Sequence, residues 1–520
     1  MTTYSESSIS AKIAKFKTWL DDAGLKHKDH QFSGMRFCLA RETETTPPYG
    51  VRGGIIADEM GLGKTIMMLG CIVSNFIGEN KRFNTLIVLP RALIAQWTDI
   101  ISQFFGHPVV VYHGSKVKKI TLEHLQQAPI VVTTYGMIAA NRKKGSPLWS
   151  ILWNRIVFDE AHHMRNMKTS TFKGASKLKS NTKWLVTGTP IQNRKTDFYA
   201  LCAILGLKTA LYADPAAIPK IISHHLLRRT KASVGIRLPP LNIQTIVVPW
   251  ASPEEKHLAA QIHSMASFSR VTLENVDDII RELTTHPLPM LTRARQVCVF
   301  PHLLHTAVKK LQREGKLPAH LKLAKVKTYS KAMSIVRQLI ARRHNRRRKI
   351  VFCHYRGEID MIKALLQRAR ISVSTVDGRS GKKKRKISFD YVLDISQFSA
   401  VCKTWNRHKY LYRFINEFMA PQVIVVQIQT ASEGLNLQHC QEVYFTSPHW
   451  NPAVEDQAIA RSHRIGQHDR VDVFRFIMAD FNSDIQDPSI MVPAPQITLD
   501  KYCQTVQERK RELMKFIDPK

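Results

Sequence analysis

The chain has 520 residues, of which 44% are hydrophobic, so it can bury the cores of two or three domains. Its 77 lysines and arginines outnumber 41 aspartates and glutamates, and the formal net charge is +36. This excess favours a polyanionic partner, most commonly nucleic acid, with a generally basic solvated surface as the alternative. No stretch approaches the roughly 20 apolar residues of a membrane span, and the opening residues lack a signal-peptide pattern, so we expect no membrane partner.

The cysteine spacing indicates that zinc is not used. Eight cysteines are scattered singly, and no two of them form a CxxC pair. We therefore expect no zinc ribbon or RING module, because such modules use closely spaced cysteine pairs. Scattered single cysteines also fit a reducing compartment.

Two regions of the chain alternate short apolar runs with longer helical patterns. The apolarity of the runs is continuous, which predicts strands buried on both faces. The helical segments between them predict parallel sheets with crossover helices, so the predicted fold class is α/β, with domains at 30–240 and 321–480. The strand candidates are 86–90, 108–112, 129–135, 155–160 and 182–188, then 349–353, 371–376, 423–428, 442–446 and 471–476.

The remaining segments flank or interrupt these domains. We expect an N-terminal helical extension over 1–29, a helical protrusion or linker over 241–320, and a partly helical C-terminal extension over 481–520. The second domain also contains two basic runs, ARRHNRRRK at 341–349 and GKKKRK at 381–386, and the latter opens an insertion over about 379–415. Solvated loops, nuclear import and phosphate contact are all open for these runs.

The segment ADEMGLGKTI at 57–66 predicts a phosphate-binding loop. Gly61 and Gly63 would let backbone N–H groups approach phosphate oxygens, and Lys64 would reach the β- and γ-phosphates. The hydroxyl of Thr65 would contact Mg²⁺ at a helix N-terminus. The general P-loop pattern has glycine where this chain has Asp58, so this segment alone leaves the prediction open.

Adjacent carboxylates follow an apolar strand in IVFDEAHHMRN at 156–166. Asp159 would hold Mg²⁺, and Glu160 would polarise the attacking water. The alternative is an acidic pair on the surface, but the buried strand immediately before it argues against that alternative.

Arg461 and Arg464 lie three residues apart in QAIARSHRIGQ at 457–467, which predicts that they share one helical face. Two arginines there could neutralise charge developing on the γ-phosphate, with a solvent-facing basic helix as the alternative. If they do so from the second domain, hydrolysis requires the two domains to close on ATP.

In chain order, these segments belong to a series of eleven motifs that resembles the Snf-type ATPases of helicase superfamily two. The forms LLRRTK and RSHRIGQ are typical of the Snf type, and DEAHHMRN and WNPAVEDQ are most similar to its Rad-type repair and remodelling branch. The series comprises DEMGLGKT (58–65), LIVLPRALIAQW (86–97), TTYGMI (133–138), DEAHHMRN (159–166), LVTGTPIQN (185–193), LLRRTK (226–231), RQVCVFPHLL (295–304), KIVFCHY (349–355), ASEGLNLQ (431–438), HWNPAVEDQ (449–457) and RSHRIGQ (461–467).

The resemblance implies two RecA-like lobes with helical insertions, each lobe being a parallel sheet with helices on both faces. It implies ATP and Mg²⁺ as cofactors. Without a RING, the chain resembles a bare motor, similar to the short Snf-type proteins of some large DNA viruses. Two departures stand out: Ser432-Glu433 replaces the family's usual Gly-Gly pair, and Val299-Phe300-Pro301 replaces its NHP element.

The resemblance also assigns roles to individual residues of this chain. Gln31 would read adenine, Gln457 would couple the lobes around the phosphates, and Thr187, Gly188 and Thr189 would link hydrolysis to DNA contact. The nucleotide would be held by Asp58, Glu59, Met60, Gly61, Leu62, Gly63, Lys64 and Thr65, and the metal by Thr65 and Asp159. The DNA candidates are Arg91, Thr133, Thr134, Tyr135, Arg165, Asn166, Thr430, Asn436 and Trp450, with packing as the alternative role of Tyr135 and Trp450.

The leading hypothesis is an ATP-dependent translocase on double-stranded DNA that remodels protein–DNA complexes, chromatin or repair intermediates. The alternatives are a strand-separating DNA or RNA helicase and a nucleic-acid-binding scaffold that does not hydrolyse ATP. Nucleosomes or other DNA-bound proteins would be its targets, and a separate protein would supply targeting. The expected location is the nucleus, or a viral factory or virion if the chain is viral.

Overall fold

The computed structural model describes residues 3–74, 83–105, 109–141, 146–265, 288–314, 326–377, 379, 422–431, 437–481 and 496–517. They fall into two compact units, Met1–Arg237 with Lys510–Lys520 and Leu238–Arg509. Each unit contains one parallel β-sheet, which confirms the predicted α/β class. The basic run 381–386 and nearly all of the insertion predicted over 379–415 lie outside the described residues.

Seven strands form the sheet of the first unit: β1 Gly53–Ile56, β2 Thr85–Leu89, β3 Val109–Tyr112, β4 Ile130–Thr134, β5 Leu152–Asp159, β6 Lys179–Val186 and β7 Leu226–Leu227. They pair in the order β3-β4-β2-β5-β6-β1-β7, and every neighbouring pair is parallel. The five predicted strands are all present. β1 and β7 were not predicted, because a four-residue GGII segment and a two-residue LL segment are too short to stand out as apolar runs.

Helices cover both faces of this sheet. Alternate residues of one strand therefore belong to different hydrophobic clusters. Leu86 and Ile156 pack into one cluster, whereas Ile87 and Val157 pack into the other. The helices are α1 Thr3–Asp22, α2 Asp29–Thr43, α3 Lys64–Val73, α4 Ile94–Phe105, α5 Leu122–Gln127, α6 Tyr135–Ile138, α7 Ser170–Ala175, α8 Lys195–Leu205, α9 Thr209–Ala213 and α10 Ile218–His225.

The segment 1–29, predicted as an extension, contributes to the core of the first unit. Ile9, Ile13, Phe16 and Leu20 recur at helical spacing along α1 and are buried in the same cluster as α2 and α3. Their spacing places all four on one face of α1, so the helix is integral to the unit.

Six strands form the sheet of the second unit: β8 Leu241–Val248, β9 Lys349–Cys353, β10 Val373–Val376, β11 Val423–Gln427, β12 Glu442–Phe445 and β13 Val471–Met478. Their order is β10-β11-β9-β12-β13-β8, again with parallel neighbours only. Alternate residues again enter two clusters, Val351 and Tyr444 on one face and Ile350 and Val443 on the other.

The prediction of a helical segment beginning at 241 was wrong for its first eight residues. These residues form β8, which pairs with β13 along its whole length from Leu241 opposite Val471 to Val248 opposite Met478. β8 is an edge strand, and only Val248 within it is buried, so LNIQTIVV mixes polar and apolar residues and lacks the continuous apolarity of central strands.

The helices of the second unit cover the segment 251–320, where it is described, and alternate with the strands. They are α11 Pro253–Met265, α12 Leu288–Val299, α13 His302–Arg313, α14 Ser330–Ala341, α15 Arg356–Arg368, α16 Ile428–Ala431, α17 Pro452–Ser462 and α18 Leu499–Met514, of which the residues from Lys510 onward belong to the first unit. Among all described residues, no helix combines the length and apolarity that crossing a membrane requires.

Candidate nucleotide site and predicted DNA contacts

The loop between β1 and α3 has the backbone of a phosphate cradle. Gly61 and Gly63 adopt φ angles of 91° and 82°, which only glycine adopts readily. Gly63 caps α3, and a Cβ at this position would collide with Nε2 of Gln31. Lys64 is the first residue of α3, so the loop delivers the lysine at a helix N-terminus, where anions are favoured.

The ammonium of Lys64 is held by its own loop. Its Nζ donates to the carbonyl oxygens of Asp58 and Glu59, at 2.7 and 3.3 Å. The Cβ of a side chain at Gly188 would lie 3.6 Å from this Nζ, so the TGT segment passes directly beside the lysine.

Asp58, which departs from the general P-loop pattern, is one half of a buried ion pair. Its side chain is fully buried and accepts from the backbone N–H, Nε and Nη2 of Arg229, at 3.0, 3.1 and 2.5 Å. Arg229 also donates to the carbonyl of His30 and to the hydroxyl of Ser33. The carboxylate therefore ties the loop to the LLRRTK segment and, through Arg229, to α2.

Glu59 makes a second connection to the same segment. Its carboxylate accepts from the backbone N–H of Lys231 at 2.7 Å and lies 2.9 Å from the lysine Nζ. The backbone N–H of Glu59 in turn donates to the carbonyl of Arg229. Sequence reasoning did not assign these roles to Arg229 and Lys231, although both belong to a motif that carried the resemblance.

Gln31, the predicted adenine reader, is buried against the loop. Its Nε2 donates weakly to the carbonyl of Leu62 at 3.5 Å, and Nε2 of His30 contacts the same carbonyl at 3.0 Å. Burial lowers the pKa of His30, which favours the neutral ring beside the loop. The adenine-reading role of Gln31 stays a prediction.

The two predicted carboxylates lie at the end of β5. Asp159 is its last residue, and its Oδ2 accepts from the indole Nε1 of Trp97 at 2.8 Å. Burial, together with the charge of Glu160, raises the pKa of Asp159 to about 6, while Trp97 and Lys64 act in the opposite direction. A cation at this carboxylate would favour its ionised form.

Glu160 is held in a backbone conformation that is unusual for a residue with a side chain. Its φ is 53° and its ψ is 50°, in the left-handed region. Its backbone N–H donates to Oδ1 of Asp159 at 3.1 Å, and its carboxylate lies 3.3 Å from Nδ1 of His162. The same nitrogen lies 3.3 Å from the hydroxyl of Thr187.

From Thr187 the polar contacts continue to Arg165. The hydroxyl of Thr187 accepts from the backbone N–H of Thr189 at 3.2 Å, and Nε2 of Gln192 donates to the hydroxyl of Thr189 at 3.1 Å. Nη1 of Arg165 donates to Oε1 of Gln192 at 2.6 Å. A continuous polar path thus connects the Glu160 carboxylate with a predicted DNA contact.

The predicted DNA residues of the first unit lie at or after the carboxyl ends of three adjacent strands. Arg91 after β2 and Asn166 after β5 are exposed. The side chains of the last two residues of β4 are directed inward: Thr133 donates to the carbonyl of Tyr112, and Thr134 contacts His113 at 3.2 Å.

Tyr135 is buried, and its hydroxyl donates to the carbonyl of Asp159 at 2.7 Å. This contact braces the end of β5. The role of Tyr135 in binding DNA stays a prediction.

In the second unit, the prediction that Arg461 and Arg464 share a helical face was wrong. α17 ends at Ser462, and Arg464 lies beyond it in a turn that contains Gly466 at φ 96°. Two amide side chains hold the turn against the segment that contains Gln438: Nε2 of Gln438 donates to the carbonyl of Ile465, and Nε2 of Gln467 donates to that of Gln438, both at 2.6 Å.

The guanidinium of Arg464 is half-buried, and its Nε has no acceptor among the described residues. Burial lowers its pKa, so an anion beside it would be strongly favoured. Gln457 is buried on α17.

The other predicted site residues of the second unit are the DNA candidates Thr430, Asn436 and Trp450. Trp450 is half-buried with its ring centroid 5.8 Å from that of Tyr502, which places it in packing contact with α18. Thr430 falls in α16, directly after β11. Asn436 and the Ser432-Glu433 pair lie outside the described residues.

Both units of the chain match family profiles of known proteins. A family profile described as SNF2-related domain matches residues 30–303, and one described as helicase conserved C-terminal domain matches 331–466. The chain is 26% identical over 486 residues to a probable global transactivator of Orgyia pseudotsugata multicapsid polyhedrosis virus, covering 88% of this chain and 87% of that protein.

The chain is also similar to a second relative and to a solved structure. DNA repair protein RAD5B of Arabidopsis thaliana is 25% identical over 598 residues, covering 89% of this chain but only 45% of the plant protein. The Sulfolobus solfataricus SWI2/SNF2 ATPase core in complex with dsDNA matches 88% of each chain at 23% identity, with a TM-score of 0.38.

Proposed function

The chain belongs to the SNF2-related family and is a DNA-dependent ATPase, and we propose that it moves along double-stranded DNA and remodels protein–DNA complexes, chromatin or repair intermediates. The family assignment confirms the resemblance of its motifs. Translocation, the remodelled target and the residue roles are proposals, and the geometry of the loop and of the carboxylates supports the residue roles.

The residues of the first unit fit ATP and Mg²⁺. The glycine-rich loop and the N-terminus of α3 suit phosphate oxygens, and Lys64 would exchange its two carbonyl acceptors for them. Thr65 and the buried carboxylate of Asp159 would hold Mg²⁺, which when bound neutralises phosphate charge. Trp97 fixes the orientation of Asp159, so the ligand is positioned before the metal arrives.

Glu160 and the arginines would carry the chemistry of hydrolysis. The backbone of Glu160 is left-handed and its carboxylate lies 3.3 Å from Nδ1 of His162, and this carboxylate could polarise a water. Arg464, whose buried Nε has no acceptor among the described residues, would stabilise the charge that develops on the γ-phosphate, with Arg461 beside it in sequence.

The observation that carries the proposal is the polar path from Glu160 to Arg165. It passes through His162, Thr187, Thr189 and Gln192, and each step lies between 2.6 and 3.3 Å. A phosphate bound at Arg165 would draw the guanidinium away from Gln192. That movement would be transmitted toward the carboxylate that activates water, which gives DNA a physical means of altering hydrolysis.

ATP hydrolysis measured in parallel with no nucleic acid, duplex DNA, single-stranded DNA and RNA tests the substrate class. We expect duplex DNA to stimulate most, triplex displacement to report movement, and forked duplex to remain largely unwound. Efficient fork unwinding without triplex displacement would instead support a strand-separating helicase.

Glu160→Gln tests the chemistry, because an amide cannot polarise water as a carboxylate does. The variant should bind ATP and lose turnover. A protein that turned over ATP at the parent rate with this substitution would refute the role of Glu160. If the parent itself hydrolysed no ATP, the chain would be a nucleic-acid-binding scaffold.

The broader context is also part of the proposal. Nucleosomes or other DNA-bound proteins would be the remodelled targets, with a separate protein supplying targeting. The location would be the nucleus, or a viral factory or virion if the chain is viral, and the relative with the viral transactivator name is compatible with either.

A further inference from the structure

The basic run 341–349 lies in a defined place, at the amino-end edge of the second sheet. It connects α14 to β9. Because all six strands are parallel, the segments that enter β9, β10 and β13 lie along this same edge. Thr430 and Trp450 follow the carboxyl ends of β11 and β12, at the opposite edge.

Two buried carboxylates bind several side chains of the run. Glu442, the first residue of β12, is fully buried and accepts from Arg342 at 2.6 and 3.0 Å and from Asn345 at 2.6 Å. Asp472 at the start of β13 pairs with Arg347. An import signal must be read as an extended, accessible peptide, and these ion pairs remove that possibility for the run.

Five arginines on the same edge are exposed instead, and we call them the amino-edge arginines: Arg343, Arg346, Arg368, Arg370 and Arg470. The side chain of Arg470 is 58% exposed even though it pairs with Asp472. The buried network fixes the loop from which Arg343 and Arg346 project, so these charges are displayed on a rigid base.

The turns that carry two of them show the same outward display. Arg346 and Arg370 have φ angles of 54° and 57°, in the left-handed region that glycine adopts more readily. Arg370 follows the end of α15, where the backbone N–H of Ile371 closes onto the carbonyl of Leu366. Both arginines therefore stand at tight turns and are directed toward solvent.

The spacing of these charges suits a duplex. In the sheet order, β10 and β9 are two strand spacings apart, as are β9 and β13, so the amino-edge arginines extend over about 20 Å. A duplex presents one negative charge per about 1.7 Å of axis, which amounts to about 12 charges over that length.

The chemistry of the edge favours phosphate over protein. The exposed entering segments RHNRRR, QRARIS and HDR contain no aromatic residue and only one large apolar residue, Ile371, which is buried. A protein interface needs buried apolar or aromatic anchors, whereas sequence-independent phosphate contact needs only cations.

We propose that the amino-edge arginines form a docking surface for the phosphate backbone of a second segment of duplex DNA. The carboxyl-end contacts lie a strand length away, about 17 Å along β9, so a duplex that crosses the carboxyl ends of the strands would leave the amino edge open. The surface would hold DNA beside the segment being tracked. The inference rests on the proposed duplex substrate only in naming the ligand.

The test is capture of a second duplex by Arg346→Gly/Arg370→Gly. Glycine suits both φ angles, so the substitution removes charge without demanding a new backbone. The parent, bound to an immobilised duplex, should capture a fluorescent duplex added afterwards. The double variant should lose this capture. The slope of the logarithm of its DNA-binding constant against the logarithm of the salt concentration should become shallower by about 1.8, because each phosphate contact changes the binding constant on the order of tenfold between 1 M and 0.1 M salt.

Lys208→Ala/Lys220→Ala is the matched control, because it removes two exposed cations from the first unit. It should leave capture at the parent level, and both double variants should keep duplex-stimulated ATPase and thermal stability. Equal loss in the control, unchanged capture in the glycine variant, or no capture by the parent would each overturn the proposal. Polyglutamate displacing the second duplex better than unlabelled DNA of equal charge would assign the surface to an acidic protein.

A failure of duplex DNA to stimulate the parent ATPase would instead count against the proposed function, and the capture comparison would still decide this inference.

Discussion

Arg229→Ala is the most direct perturbation of the loop that would hold ATP. Arg229 is the partner of Asp58, whose side chain is fully buried, and its own side chain is 14% exposed. The substitution leaves a desolvated carboxylate beneath the loop and also removes the contacts to His30 and Ser33. We expect the loss to appear in both the stability of the first unit and the KM for ATP.

The magnitude follows from the burial. Breaking a buried ion pair by removing one partner costs about 3–5 kcal/mol. For a unit of this size each kcal/mol lowers the Tm by about 2–4 °C, so the expected decrease is about 6–20 °C. Asp58→Asn in the same chain removes the stranded charge, and the double variant should therefore be more stable than Arg229→Ala alone.

Thermal unfolding followed by calorimetry, with ATP titrations on the folded proteins, measures both effects. Arg237→Ala is the control, because it removes an exposed arginine from the same unit. A Tm decrease below about 2 °C, or a double variant no more stable than Arg229→Ala, would show that the pair does not hold the loop as we describe.

Four further substitutions test other residues of the two units. Trp97→Phe should raise the Mg²⁺ concentration needed for half-maximal hydrolysis, whereas Trp153→Phe, which removes an indole bond to a backbone carbonyl, should leave that concentration unchanged. Gln192→Ala should reduce the stimulation of ATP hydrolysis by duplex DNA and leave the rate without DNA unchanged. An equal decrease in both rates would contradict the proposed polar path. Burial raises the pKa of Glu42, but its ion pair with Arg155 and the hydrogen bonds from Arg155 and Trp184 hold that pKa below the ordinary value, so the stabilisation is present above about pH 4.3 and disappears as the pH falls. Glu42→Gln should accordingly lower the urea midpoint at pH 7 and make a smaller difference at low pH. Arg464→Ala should lose about 10³-fold in stimulated turnover while it still binds ATP and DNA, and a proportional loss of DNA binding would place this arginine on the DNA path.

The central strands could be predicted because burial on both faces imposes continuous apolarity on a short segment. LIVLP and KIVFC lie in the middle of their sheets, and every residue of β2 and β9 is buried. β8 escaped prediction for the opposite reason: it lies at a sheet edge and buries only one of its eight residues. α1 was predicted as a helix, but a helical period alone does not say which surface the apolar face covers.

The nucleotide loop and the carboxylate pair could be predicted because the residues that define them are neighbours in sequence. Their supports could not, because these come from far along the chain: Arg229 is 171 residues from Asp58, and Trp97 is 62 from Asp159. Asp58 illustrates the consequence. Its local sequence context makes it a departure from the P-loop pattern. In the fold, it is the acceptor that binds the loop to the segment after β7, and glycine there would leave Arg229 without its carboxylate. The departure from the pattern and the LLRRTK motif are therefore one structural feature, and a chain that lost either residue would be expected to tolerate loss of the other.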